Sequence, residues 1–229
     1  MEIHILIVPL IFLDCGGTPM ILQEVCELIL RPRKFFERRL RQPVFLRAAT
    51  CVSMAQATVV LFCLWMKHST LTAEITMGSI VLVAALLSVR FGAGALFLYY
   101  VAVLSGSRSE LLYRQCLSVV VYSYFIVLLE GVSAVVLGCI VCMVRGTNFS
   151  VVTFLNVNNL LALAHLPVFQ ILEKADIFAA WFIGMVAIGA GTFSSLRFSA
   201  RVLVAFFDWI FVSAIQESIT QFLKLSLYG

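Results

Sequence analysis

Between Ile75 and Leu104 the chain runs for thirty residues with Arg90 as its only charged side chain. As one helix this stretch would be about 45 Å long, against a bilayer core of about 30 Å. It must therefore tilt, break or protrude, and Gly92 and Gly94 mark the place for a kink. Further apolar runs follow the same rule at about 46–66, 117–143, 177–196 and 200–223. Composition agrees: 62% of residues are hydrophobic and 12% charged. Soluble domains carry about twice that charge and about 45–50% apolar residues. The expected fold is an all-α, polytopic integral membrane bundle of about five transmembrane helices over residues 45–225.

Two segments do not fit a simple crossing. Residues 1–19 are apolar at first but too short to span, and they lack the basic start of a signal peptide. Met20 follows directly, so the true start is expected there, with 1–19 a mis-assigned segment. Residues 148–173 hold Asn156, Asn158, Asn159, His165 and Pro167. Their cleanest apolar piece is too short to cross, so 158–172 read as re-entrant or interfacial.

Residues 20–44 are amphipathic. Ile21, Leu22, Val25, Leu28 and Ile29 recur at helical spacing, Pro32 interrupts, and Phe35, Phe36 and Leu40 resume among basic residues. Aromatic rings flanked by Lys and Arg suit a helix lying in the membrane interface. Residues 29–47 carry seven of the sixteen Lys and Arg. Lying beside an apolar span, this tract is a topology signal that fits anionic lipid rather than nucleic acid. With five spans, eleven Lys and Arg fall on the side of this tract and four on the other. The positive-inside rule then puts the N-terminus in the cytoplasm and the C-terminus outside.

Charges inside the spans set the candidate site. Arg90 and Glu130 lie near the midpoints of their spans, and Asp208 lies about 10 Å into the last one. A lone charge at the midplane costs at least about 2.5–3.5 kcal/mol, so such groups face the bundle and find partners. Arg90 and Glu130 are expected to pair or to share a polar pocket, with Asp208 as an alternative partner for Arg90. Two readings fit: a structural pair that fixes helix register, or a path for an ion or substrate in a small transporter or permease subunit. Ala134 with Gly138, and Ala187 with Gly191, are small-xxx-small spacings that permit close packing.

Enzymatic chemistry is not legible. No P-loop, HExxH or GxSxG occurs, and His4, His68 and His165 are far apart. No catalytic residue, cofactor or metal site is assigned. The seven Cys form no disulfide framework, and Cys139 and Cys142 read as packing residues within a helix. Asn148-Phe-Ser150 fits a glycosylation sequon, which matters only in a eukaryotic secretory compartment.

The order of short motifs resembles the Yip family of five-span membrane proteins. Pro32 and Phe35 (or Phe36) precede the first span, Gly106 leads into a span with Tyr122-Ser123, and Asp176-x-Phe178-x-x-Trp181 opens the fourth with Gly189 behind it. A last helix follows a basic turn, and the likeness covers roughly residues 27–225. The residue pattern departs from the family in lacking a Pro soon after the Tyr step. The short form is similar to prokaryotic members, which implies the bacterial cytoplasmic membrane, with ER or Golgi membrane as the alternative. The resemblance implies a non-enzymatic protein of membrane organisation or trafficking, acting through protein partners or as a homo-oligomer. Independently of it, Asp176 can cap a helix, and Phe178 and Trp181 suit an interfacial aromatic belt.

Overall fold

The computed structural model describes residues 18–41, 45–68, 73–107, 111–145 and 176–228. The segment 1–17 and the ambiguous stretch 148–173 lie outside the described residues. Within them the secondary structure is helical throughout: α1 (Thr18–Leu30), α2 (Pro32–Arg39), α3 (Leu46–His68), α4 (Ala73–Leu104), α5 (Leu112–Arg145), α6 (Ile177–Ala190) and α7 (Phe198–Tyr228).

Local sequence sets the breaks between helices. Pro32 pushes the preceding residue out of helical space, and Arg31 sits at φ −142°, ψ 56°. Helix α2 then starts on Pro32, whose missing N–H falls where no intrahelical partner exists. Helix α4 ends in a Schellman turn. Gly106 takes φ +84°, its N–H donates to Val103 O at 3.0 Å, and the Ser107 N–H donates to Ala102 O at 3.0 Å. Helix α6 opens on Asp176, which caps it.

Helices α3, α4, α5 and α7 are long and apolar enough to cross a membrane. At 14 residues, α6 is a shorter apolar helix, about 21 Å long. The sequence suggested a fourth span to about residue 196, but the helix stops at Ala190 and a turn follows. In lipid, hydroxyls inside the spans need local acceptors. Thr50 donates to Leu46 O, Thr58 to Met54 O and Ser88 to Ala84 O, each one turn back.

The packing has a defined order. Helices α3, α4, α7, α6 and α5 close into a ring, and α4 also meets α5 across it. Half of α5's apolar window is buried, against 17% to 22% in the other three spans, so α5 is the central helix. Tyr124 of α5 joins three helices, with its ring edge-on to Phe91 of α4 at 4.9 Å and to Phe182 of α6 at 5.4 Å. Phe97 of α4 stacks on Phe211 of α7 at 5.7 Å. The outward faces carry Val81, Leu96, Tyr100, Val136, Ile140, Leu203 and Phe207, all exposed. That belt suits lipid and would be a large apolar patch in water.

Candidate intramembrane and docking sites

The basic segment is held by the protein. Phe35 and Phe36 are fully buried, so the aromatic face read as lying in the lipid interface packs on α5 and α6 instead. The Phe35 ring meets Tyr122 edge-on at 4.9 Å. Phe36 lies over Gly189, where an added Cβ would stand 3.3 Å from its ring and 2.8 Å from both methyls of Val119. Only a hydrogen fits there. Leu40, 3% exposed, ends the docked face, and its carbonyl accepts from Gln115 Nε2 at 3.1 Å.

This docking sorts the cations of the tract. Arg38 pairs with Glu27, and Arg39 pairs with Glu24, which ties α2 to α1. Arg33 meets Glu37 on its own helix at 2.8 Å, a pair exposed enough to contribute little. Arg31, Lys34 and Arg41 are exposed and make no ion pair among the described residues. The sequence reading missed the ordering role of Glu24 and Glu27, although they lie one helical turn apart ahead of the basic tract.

The remaining family-like positions are also structural in place. Asp176 Oδ1 accepts from the Ala179 N–H at 2.8 Å, satisfying a donor of the first turn of α6. Phe178 packs against the core, whereas Trp181 is 37% exposed on the outer face. The Gly106 turn is stapled to the α6–α7 connection: Ser107 Oγ donates to Phe193 O at 2.9 Å, and Ser195 Oγ donates to Ser105 O at 3.3 Å. A Cβ on Gly191 would collide with the guanidinium of Arg201, which itself lies over the Phe198 ring at 5.6 Å.

The three intramembrane charges form a ladder. Measured from the end where α4 and α5 are joined, Asp208 lies about 15 Å along α7, Arg90 about 21 Å along α4, and Glu130 about 27 Å along α5. Arg90 thus stands between two acidic groups, about a turn from each. It forms an ion pair with neither among the described residues. Its guanidinium lies 5.2 Å from the centre of the Tyr124 ring, a cation–π contact that contributes about 2 kcal/mol when desolvated. Glu130 lies beside Asp176 and within electrostatic reach of Arg90. Arg90 was expected to pair with Glu130 or to share a polar pocket with it; the guanidinium lies over Tyr124, with Glu130 nearby.

Asp208 is 1% exposed and neither carboxylate oxygen has a hydrogen-bond partner. It faces Gly94 of α4, where an added Cβ would stand 3.4 Å from Oδ1 and 3.5 Å from Oδ2. Gly94, one of the two glycines marked for a kink, lies within a continuous α4 and admits this carboxylate. The legible signal was its spacing, one turn beyond Arg90. Among the described residues no cluster of His, Cys, Asp or Glu could hold a metal.

Neither the curated proteins nor the solved structures contain a match to this chain. The profile of the Yip1 domain matches residues 26–216, which takes in α2, the Tyr122 docking site, the Asp176 cap and the charge ladder. The chain belongs to the Yip1 family.

Proposed function

We propose that this protein organises or helps to traffic membrane through protein partners, without chemistry of its own. The observation that carries this reading is the family match over nearly the whole bundle. The described residues add an apolar helical scaffold with a basic platform at one end. Its exposed cations, Arg31, Lys34 and Arg41, suit anionic lipid headgroups, each contributing about 1 kcal/mol near such a surface. The positive-inside rule puts that platform in the cytoplasm. The membrane is the bacterial cytoplasmic membrane in this reading, with ER or Golgi as the alternative.

Isolation of native complexes from membranes tests the proposal. A stoichiometric protein partner or homo-oligomer, retained when the charge ladder is neutralised, supports it. A protein that purifies alone and drives solute flux into proteoliposomes, lost in a folded Glu130→Gln variant, overturns it in favour of a small permease. The unpartnered Asp208 carboxylate is the observation that keeps this second reading in play.

A further inference from the structure

Asp208 and Arg90 present complementary vacancies. Both oxygens of Asp208 and the Nε of Arg90 are buried without hydrogen-bond partners. A buried carboxylate with no partner is strongly disfavoured in an apolar setting. Asp208 forms no ion pair among the described residues.

We propose that Arg90 is a movable counter-ion that serves Glu130 and Asp208 alternately, with Gly94 as the smooth track between them. Helices α4 and α7 are in direct contact, and Asp208 already touches the α4 backbone at Gly94, one turn from Arg90. A side-chain swing, or a slide of about 5.4 Å between packed helices, closes that gap. Tyr124 holds the guanidinium in the observed position.

In the observed position Arg90 lies on Tyr124 near Glu130 and Asp208 is unpaired. In the other position Arg90 pairs with Asp208, and Glu130 is left with Asp176. Each position leaves one carboxylate without the guanidinium, so the two carboxylates compete for one cation. Cys116, Val120 and Gly94 line the Asp208 end and offer it no competing cation.

Double-mutant cycles on the full chain in lipid nanodiscs test this. Arg90→Met, Asp208→Asn and the double variant are melted in the native background and again with Glu130→Gln. The expected result is weak coupling of the melting midpoints in the native background, where Glu130 competes for Arg90. Removal of the competing carboxylate should then raise the non-additivity to about 2–4 °C. Additivity in both backgrounds overturns the proposal, as does equal coupling in both, which would mean a fixed pair. Should Arg90→Met not fold, the emission of Trp209, kept as the sole tryptophan beside Asp208, gives a second readout. Glu130→Gln should shift that emission and Asp208→Asn should abolish the shift. Unchanged emission overturns the idea.

Discussion

At the scale of single residues, the glycines separate into those that admit a neighbour and those that do not. Gly189 lies under Val119 and Phe36 with no room for a methyl group, whereas Gly92 has nothing within 4 Å of its would-be Cβ. Gly189→Ala should therefore destabilise by about 1–3 kcal/mol through overpacking. Gly92→Ala should be neutral or stabilise by about 0.5–1 kcal/mol through helix propensity. Melting of each variant in the same detergent checks the contrast, and equal midpoints would contradict the docking geometry. Sequence alone cannot draw this distinction, because both glycines sit in long apolar helices and differ only in what crosses them. The Asp176 cap was legible, since an acidic residue directly before an apolar helical run needs only local geometry to act.

At the scale of elements, α2 is the informative case. Its amphipathic pattern was readable, but the pattern does not say whether lipid or protein covers the apolar face. Phe35 and Phe36 answer that by their burial against Tyr122, Val119 and Gly189. Phe36→Ala should cost about 3–5 kcal/mol, as for a buried ring, while Arg33→Ala on the exposed edge should cost less than about 1 kcal/mol. Denaturant or thermal unfolding in one detergent measures both, and a benign Phe36→Ala would place the ring in lipid. The long apolar helices were legible because lipid demands length and lack of charge together. The end of α6 was not, because no charged residue or Pro marks it before Arg197. There the guanidinium of Arg201 occupies the space a side chain would need, and the Ser105–Ser107 turn bonds to the connection beyond.

At the scale of the molecule, the Yip1 fold of this chain is a ring of five helices of which α5 is the most buried, with the basic α1–α2 hairpin fastened to one end. The family landmarks come from three separate stretches, Pro32 with Phe35, Tyr122, and Gly189, and converge on that fastening. The order of short motifs was visible in the chain, but their convergence was not, since it depends on how α2 returns to α5 and α6. The charge ladder was visible as three intramembrane charges, but their relative heights needed the helix ends. The central claim is that the bundle, rather than the bilayer, holds the basic segment in place. Hydrogen exchange over residues 32–41, in nanodiscs of zwitterionic lipid and again of anionic lipid, tests it most directly. The account predicts strong protection in both, lost in both when Phe35 and Phe36 are changed to Ala. Protection that appears only with anionic lipid, and survives those two changes, would contradict it.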